Sequence, residues 1–275
     1  MKRILITGKN SYIGNSFEEW IADDDNFYVE KISLREDNWK SVDFSKYDAI
    51  LHVAGIAHAD ISKVNSETKD LYYKINCDLA IEVVKKYKED LNGKIGQFIY
   101  MSSIIIYGEE ANINKRRVIT QKTVPLPTNF YGDSKLKAEK KLVTFDSDLL
   151  KITILRPPMI YGPGSKGNYR QLEKIAKYLP IFPDIRNERS ILSVGNLCYF
   201  IKERIISQDS GIFLPQDEEY MRTSYMVKNI GKRNGKKIIL IPWANWLVRL
   251  MGHFPGKVGK LTNKAFGNLV YEKKF

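Results

Sequence analysis

Long apolar runs and cysteine are both scarce in this chain of 275 residues. No stretch approaches the roughly 18 consecutive apolar residues of a membrane-spanning helix, and the apolar run near Met1 is too short for a signal peptide. The 2 cysteines, Cys77 and Cys198, are too few for a disulfide framework or a cysteine-based zinc site. The 18 glycines and 10 prolines follow no period, which excludes collagen-like and low-complexity classes. The sequence predicts a cytoplasmic protein with no integral membrane segment and no metal.

Positive charge is abundant but confined to one end. The formal net charge is +12, and the last 54 residues, from Arg222 onward, contain 12 basic residues and one acid, Glu272. An excess of this size is typical of proteins that bind polyanions or membrane headgroups. Residues 1–221 carry only +1, so the basic character belongs to the C-terminal segment.

Short apolar segments alternate with helical patterns along the first part of the chain. We predict strands at Arg3–Thr7, Tyr28–Leu34, Ala49–Val53, Gln97–Ser102 and Lys151–Arg156, and helices at Ile13–Ala22, Leu71–Asp90 and Tyr131–Phe145. This order predicts an α/β protein with a doubly wound parallel sheet over residues 1–160. In the remaining sequence, prolines separate shorter segments. This pattern predicts a smaller C-terminal lobe over residues 161–275, with about 190–206 packing back on the first domain.

A glycine turn follows the first predicted strand and opens a helix. Its sequence is Thr7-Gly8-Lys9-Asn10-Ser11-Tyr12-Ile13-Gly14. Such a turn points backbone N–H groups and a helix N-terminus at a pyrophosphate, although glycine turns also serve as plain structural punctuation. The strand–turn–helix context favours a dinucleotide and hence a Rossmann-type sheet.

The end of the second predicted strand bears on the choice between NAD and NADP. An acid there would bind ribose hydroxyls, whereas this chain has Ser33 and, two residues later, Arg35. A guanidinium suits a 2′-phosphate, which favours NADP. The alternative is that Arg35 is a solvated loop residue neutralised by Glu36 and Asp37.

A tyrosine, a lysine and a serine form the candidate catalytic set. Tyr131 and Lys135 are four residues apart in a predicted helix and therefore share one face. A phenol has an ordinary pKa of about 10, so it needs a nearby cation to act as a base. Ser102 and Ser103 end a predicted strand at the edge where doubly wound sheets bind ligands. These groups beside a nicotinamide are suited to alcohol–ketone interconversion.

Taken together, these segments resemble the extended short-chain dehydrogenase/reductases of the nucleotide-sugar epimerase/dehydratase family. The resemblance covers almost the whole chain. It is carried by Gly8 to Gly14, Asp43-Phe44, Leu51-His52-Val53-Ala54-Gly55, Asn76, Ser102-Ser103 with Tyr107-Gly108, Tyr131 with Lys135, and Leu155-Arg156-Pro157 with Tyr161-Gly162-Pro163.

The resemblance implies a role for each matching residue. Tyr131 is the acid/base, Lys135 binds the nicotinamide ribose and lowers the pKa of Tyr131, and Ser103 hydrogen-bonds the reacting sugar oxygen. Cofactor contacts are implied for Gly8, Ser11, Tyr12, Ile13, Gly14, Ser33, Arg35, Asp43, Phe44, Val53, Ala54, Gly55, Asn76, Tyr131, Lys135 and Pro158, and substrate contacts for Ser103, Tyr107, Met159, Asn168 and Arg189. Two positions depart from the family: Ser11 replaces a loop glycine, and Met159 stands where many relatives have a substrate-contacting Asn.

The same catalytic set serves several reactions in the family. A 4,6-dehydratase needs an acid pair after the catalytic serine, but Ile104 and Ile105 stand there and aliphatic groups transfer no protons. Arg35 and the short second lobe favour an NADPH-dependent 4-keto-6-deoxy-hexose reductase that supplies surface polysaccharide precursors. A nucleotide-sugar 4-epimerase of the UDP-glucose/UDP-galactose type is the alternative. A catalytically silent dinucleotide sensor or scaffold is the alternative from another class.

The remaining expectations concern partners. The resemblance implies a homodimer formed through the predicted helices Leu71–Asp90 and Tyr131–Phe145. Residues Trp243–Met251 are apolar on most sides, which favours a core or interface helix over membrane docking. The basic C-terminal segment is expected to attract a nucleotide sugar and to make weak peripheral contact with an anionic membrane, with no nucleic-acid partner.

Overall fold

The computed structural model describes residues 1–57, 66–108 and 111–273. The strands are β1 (Lys2–Thr7), β2 (Phe27–Ile32), β3 (Ala49–His52), β4 (Gly96–Met101), β5 (Arg116–Ile119), β6 (Leu150–Leu155), β7 (Met159–Tyr161), β8 (Ile181–Pro183), β9 (Ile191–Ser193), β10 (Gly211–Phe213), β11 (Ile239–Ile241) and β12 (Asn268–Tyr271). The helices are α1 (Tyr12–Ile21), α2 (Ser66–Tyr73), α3 (Leu79–Leu91), α4 (Phe130–Leu142), α5 (Asn168–Tyr178), α6 (Val194–Ser207), α7 (Thr223–Arg233), α8 (Asn245–Met251) and α9 (Lys257–Phe266). Within these ranges, every helix is too short or too polar to span a bilayer.

The chain forms two compact units, each made of three separate pieces. The first unit contains Met1–Gly108, Pro125–Pro157 and Ser193–Pro215, and the second contains Glu109–Val124, Pro158–Leu192 and Gln216–Phe275.

A six-stranded sheet organises the first unit. The strand order is β10–β6–β4–β3–β1–β2, and every neighbouring pair is parallel. β2 pairs with one edge of β1, and the chain then crosses over so that β3 pairs with the other edge of β1. This reversal of strand order is the doubly wound arrangement. Helices α3 and α4 pack on the sheet through residues such as Val83, Val84 and Leu142, all completely buried. The predicted α/β Rossmann-type fold is therefore confirmed.

The second unit has its own core and only short strands. β8 pairs with β11 and β5 pairs with β12, both in parallel. Its core contains Tyr169 and Phe182 with Val227 and Phe266. These side chains come from helices α5, α7 and α9 together with β8, so the unit is held by helix packing more than by a sheet.

Helix starts follow local capping chemistry. The Asn129 side chain accepts a hydrogen bond from the Gly132 amide (2.8 Å) and begins α4. The Ser11 side chain does the same for α1, accepting from the Gly14 amide at 3.0 Å. The caps fix where α1 and α4, which carry candidate site residues, leave the sheet.

One predicted helix is more complex than expected, and one predicted core position needs correction. The helix predicted over Leu71–Asp90 is present, but it contains a π-helical turn, Lys74–Asp78, that joins α2 to α3 where the backbone widens by one residue. Residues Trp243–Met251 were expected to form a core or interface helix. They form part of a 3₁₀ turn (Pro242–Ala244) and α8, but neither contains a buried residue, so the core alternative is wrong, while the interface alternative stays a prediction.

Candidate active site

The carboxyl ends of β1, β3 and β4 lie side by side at one edge of the sheet. Thr7 is in register with His52, and His52 with Tyr100. The segments that leave these ends carry the glycine turn, the Val53–Gly55 loop and the paired serines. This edge, next to the point where the strand order reverses, is where open α/β sheets bind ligands.

The glycine turn has the shape of an anion cradle. Gly8 has φ +95°, and a Cβ there would lie 3.0 Å from the backbone N and Cα of Ala54. A side chain at Gly14 would lie 2.6 Å from Ser11 Oγ. Tyr12 and Ile13 supply the first two amides of α1, whose first turn contains no acidic residue. The backbone of this turn therefore fits a pyrophosphate.

The Arg35 side chain lies beyond the end of β2 and is exposed. The Ser33 hydroxyl accepts a hydrogen bond from the Arg35 amide at 3.3 Å. Asp37, one of the two acids proposed to neutralise Arg35, instead pairs with Lys40 at 2.9 Å. In the described ranges, Arg35 forms no ion pair, so its guanidinium is available to a phosphate.

Asp43 and Phe44 have opposite environments. Asp43 is exposed, and Ser45 holds the pKa of its carboxyl below the usual range, first through its side chain and then through its amide, which donates to the carboxylate at 2.8 Å. The Phe44 ring is completely buried and stacks on Trp39 at 6.2 Å. A ligand thus reaches the Asp43 carboxylate but not the Phe44 ring.

Asn76 ties the loop after β3 to helix α4. Its Oδ1 accepts from the Ile56 amide at 2.8 Å, and its Nδ2 donates to the Ile56 carbonyl at 3.0 Å and to Ser134 Oγ at 3.1 Å. A Cβ on Gly55 would lie 3.0 Å from Asn76 Oδ1 and 3.3 Å from Lys135 Nζ. The buried Asn76 therefore positions the loop backbone beside the lysine.

Ser103, Tyr131 and Lys135 occupy adjoining positions at this edge. The Ser103 hydroxyl lies beside the Tyr131 phenol and acts to lower its pKa. One helical turn later, Lys135 Nζ donates to the Met101 carbonyl (2.8 Å) and lies 4.6 Å from the centre of the Tyr100 ring. Because Met101 ends β4, the ammonium is fixed to the same strand that presents Ser103.

Burial shifts the pKa values of the tyrosine and the lysine. Burial raises the pKa of Tyr131 to about 12, against the lowering effect of Ser103. The expectation that Lys135 lowers the pKa of Tyr131 is therefore wrong for this structure, because the cost of burying a phenolate is the largest effect and the Lys135 charge is not among the causes. Burial lowers the pKa of Lys135 to about 8, although the charge of Glu139 acts in the opposite direction. Near neutral pH, Tyr131 therefore holds its proton and is a donor, with Ser103 as the neighbouring hydroxyl.

Behind the serines lies a buried ion pair that the sequence analysis did not find. Arg156 Nε lies 3.1 Å from both carboxylate oxygens of Glu139, and Nη2 donates to Oε2 at 2.5 Å. The Ser102 hydroxyl donates to the same carboxylate, and Arg156 Nη1 donates to the Tyr107 hydroxyl at 2.6 Å. One signal was present: Glu139 follows Lys135 by four residues and so shares its helix face.

This network separates the roles of residues that are neighbours in sequence. Ser102 faces the ion pair, whereas Ser103 faces Tyr131. Tyr107, a predicted substrate contact, is only 1% exposed, and its hydroxyl is bound by Arg156. Its place in the first unit is beside the ion pair rather than on the open edge.

His52 is a buried neutral residue. Its Nδ1 lies 2.9 Å from Thr7 Oγ1, and burial, with a smaller contribution from the Lys135 charge, lowers its pKa to about 3. Across the described part of the chain, His, Cys, Asp and Glu form no group suited to a metal ion. Cys77 and Cys198 are free and buried.

The residues of the second unit that were predicted to contact cofactor or substrate differ in their exposure to solvent. Pro158 is buried and Met159, in β7, is half-buried, whereas Asn168 is exposed at the start of α5. Arg189 donates to the Gly267 and Lys264 carbonyls at 3.1 and 2.7 Å, and burial lowers its pKa to about 10. No acid of the described chain forms an ion pair with it, so Arg189 is a cation held by carbonyls alone.

Known proteins with similar sequences and folds include epimerases and reductases. UDP-glucose 4-epimerase of Vibrio cholerae is 27% identical and aligns with 99% of this chain and 89% of its own length. UDP-glucuronic acid 4-epimerase of Bacillus cereus, solved in complex with NAD, superposes with a TM-score of 0.68 at 17% identity, covering 97% of this chain and 94% of its own. dTDP-4-dehydrorhamnose reductase of Bacillus anthracis, solved with NADP, gives 0.65 at 18% identity, covering 97% and 99%.

The match to a family model identifies the family of this chain. Residues 4–197 match the model of the NAD dependent epimerase/dehydratase family, a range that runs from β1 to the first turn of α6. It includes the glycine turn, the paired serines and the tyrosine–lysine helix. The chain belongs to the NAD dependent epimerase/dehydratase family.

Proposed function

We propose that this protein catalyses hydride transfer at C4 of a nucleotide-linked sugar. The observation that carries the proposal is the placement of Ser103 beside Tyr131, one helical turn from the buried Lys135 and at the sheet edge that also holds the glycine turn. The first unit is the dinucleotide-binding domain in this proposal, and the second is the substrate-binding lobe.

Each residue has a defined task. Ser103 and Tyr131 hold the C4 oxygen, and the Tyr131 proton goes to that oxygen when a ketone is reduced. Lys135 binds the nicotinamide ribose, and its charge favours the phenolate after the proton has left. A bound nicotinamide dinucleotide supplies the hydride acceptor or donor, and the backbone of Gly8, Tyr12 and Ile13 holds its pyrophosphate.

The first candidate reaction is reduction of a 4-keto-6-deoxy hexose with NADPH, for a surface polysaccharide precursor. Two observations support it. Arg35 is exposed without an ion pair in the described ranges, which suits the 2′-phosphate of NADP. The high pKa of Tyr131 keeps it a proton donor, the state that reduction of a ketone requires.

The second candidate is nucleotide-sugar 4-epimerisation. It is favoured by the alignment with the Vibrio cholerae 4-epimerase, which covers 99% of this chain at 27% identity. In either reaction, Arg189 is proposed to bind the diphosphate of the nucleotide, with Met159 and Asn168 near the sugar. We also propose that the protein is a cytoplasmic homodimer.

Substrate turnover by the purified protein separates the candidates. A reductase oxidises NADPH in proportion to the 4-keto sugar supplied, and prefers NADPH to NADH. An epimerase interconverts UDP-glucose and UDP-galactose with no net change in nicotinamide absorbance. Arg35→Ser should reduce the preference for NADPH by about tenfold, since it removes one charge-assisted contact. An unchanged preference would reject the proposed role of Arg35.

A Tyr131→Phe variant tests whether the protein is an enzyme at all. Replacing the phenol should abolish turnover while leaving dinucleotide affinity unchanged, because the hydroxyl is required for proton transfer. A wild-type protein that binds a dinucleotide but turns over neither class of sugar would favour a sensor or scaffold instead.

A further inference from the structure

The second unit exposes an apolar surface formed by α8, α9 and the turn before α8. We call it the Trp surface, and it consists of Trp243, Trp246, Leu247, Leu250, Val258 and Leu261. The two tryptophans are 72% and 67% exposed, and Leu261 is 67% exposed. Apolar side chains of this size are normally buried, so a cluster of them marks a contact surface.

The helical spacing places these side chains on the outer sides of both helices. Trp246, Leu247 and Leu250 fall within an arc of about 100° on α8, since a turn has 3.6 residues. On α9, Val258 and Leu261 are exposed, whereas Gly259, Thr262 and Phe266 are buried. The two helices are adjacent, because the Asn263 side chain of α9 donates a hydrogen bond to the Gly252 carbonyl at the end of α8 (2.8 Å).

Positive charges flank the Trp surface. Arg249 lies on α8, and α9 adds Lys257, Lys260 and Lys264, all exposed lysines. The sequence has no aspartate or glutamate between Tyr220 and Tyr271. Among the described residues, these four cations form no ion pairs, so the charge around the apolar side chains is not neutralised.

We propose that the Trp surface docks on an anionic lipid bilayer. Tryptophan and leucine enter the interfacial region of a bilayer, while arginine and lysine contact acidic headgroups. A second copy of the chain fits less well, since a two-fold interface would place these cations against one another. Nucleic acid would match the charges but offers the leucines and the valine no apolar partner. The docking is independent of the C4 chemistry proposed above.

Vesicle flotation of the full-length protein tests this surface. One set of vesicles contains phosphatidylcholine with phosphatidylglycerol, and the other contains phosphatidylcholine alone. We expect binding to the anionic vesicles that weakens with added salt, together with a blue shift of tryptophan fluorescence. Lys257→Gln/Lys260→Gln/Lys264→Gln should weaken binding about 100-fold, at about fivefold for each charge. Trp243→Ala/Trp246→Ala should weaken it at least about tenfold.

Matched controls remove the same residue types elsewhere. Trp20→Ala deletes a tryptophan that is 42% exposed on α1, and Lys69→Gln/Lys85→Gln/Lys94→Gln removes three exposed lysines. Both should leave vesicle binding within about twofold of wild type. Thermal melting confirms that each variant is folded.

Three results would overturn the proposal. The first is no binding to anionic vesicles at low salt. The second is equal losses in the surface variants and their controls. The third is a shift from dimer to monomer in Trp243→Ala/Trp246→Ala without loss of vesicle binding, which would make the surface an interface between copies. Binding to an oligonucleotide that depends on the lysines but not on the tryptophans, with no vesicle binding, would instead identify a polyanion site.

Discussion

Lys135 is a buried cation whose charge should destabilise the folded protein near neutral pH. Its side chain is on α4, and the residue is 6% exposed. The ammonium donates to the Met101 carbonyl at 2.8 Å, and burial lowers its pKa from 10.5 to about 8. Replacement of this residue by methionine removes the charge and keeps most of the volume.

The size and sign of the effect follow from proton binding. Near pH 7, Lys135 is protonated in both folded and unfolded chains, so the folded state bears the full cost of burying the charge. One pKa unit corresponds to 1.36 kcal/mol, and the lowered pKa therefore corresponds to about 3 kcal/mol. Above about pH 8 the folded chain loses this proton, while the unfolded chain keeps it up to about pH 10.5. The unfolded state then binds more protons, and stability rises with pH.

Lys135→Met has no such titration in either state. Relative to the variant, the wild type should gain about 2.5 kcal/mol in unfolding free energy between about pH 7 and pH 10. Urea unfolding of both proteins across this range measures the gain, and other groups that titrate there cancel in the difference. Lys140→Met, at an exposed position of the same helix, is the control and should show no pH-dependent difference.

The result that would refute this reasoning is a wild-type-to-variant difference that is constant across the pH range. It would mean that Lys135 is solvated in solution and that its pKa is not lowered. Turnover should be lost in Lys135→Met whichever way stability changes, so a variant that is both stable and active would also contradict the proposed role.

Three other substitutions test particular contacts. Glu139→Gln leaves Arg156 buried without its carboxylate and should lower the unfolding free energy, measured by urea denaturation, by about 3–5 kcal/mol. The double variant Glu139→Met/Arg156→Met should recover most of this loss, and an equal loss in both variants would show that the two charges do not interact. Gly8→Ala should abolish dinucleotide binding in a fluorescence titration, because its Cβ meets the Ala54 backbone. Gly93→Ala, at φ +88° in open space, is the matched control and should bind normally. Asn129→Ala removes the α4 cap and should cost about 1 kcal/mol in urea unfolding, while an unchanged midpoint would mean that the cap contributes nothing.

The sheet of the first unit was largely predictable because its signals are local. Strands β1, β3 and β4 are continuous apolar runs, which is how strands buried on both faces appear in sequence. The start of α4 depends on a local signal, because Asn129 is one of the residue types that cap helices and its side chain caps α4. The prediction of α4 also placed Tyr131 and Lys135 on one face.

The remaining features depend on contacts between residues distant in sequence. The Glu139–Arg156 pair forms because the end of β6 lies beside α4, a relation that no local pattern encodes. For the same reason, the sequence did not separate a buried Tyr107 from an accessible Ser103. For Trp243–Met251, the sequence left a core helix and an interface helix as alternatives. An apolar pattern indicates that side chains avoid water, but it does not show whether they are buried in the core or against a partner.

The discontinuous chain path of the two units has a consequence for synthesis and for gene structure. Strand β10, which pairs with β6, is made only after Glu109–Val124 and Pro158–Leu192, two of the three pieces of the other unit. On the ribosome, the sheet cannot complete its β10 edge until those pieces have emerged, so much of the second unit is synthesised before the first unit can be completed. No single cut in the gene yields either unit whole. Exchange of a substrate lobe between relatives would require several coordinated junctions, and changes in specificity are therefore more accessible through point substitutions than through recombination.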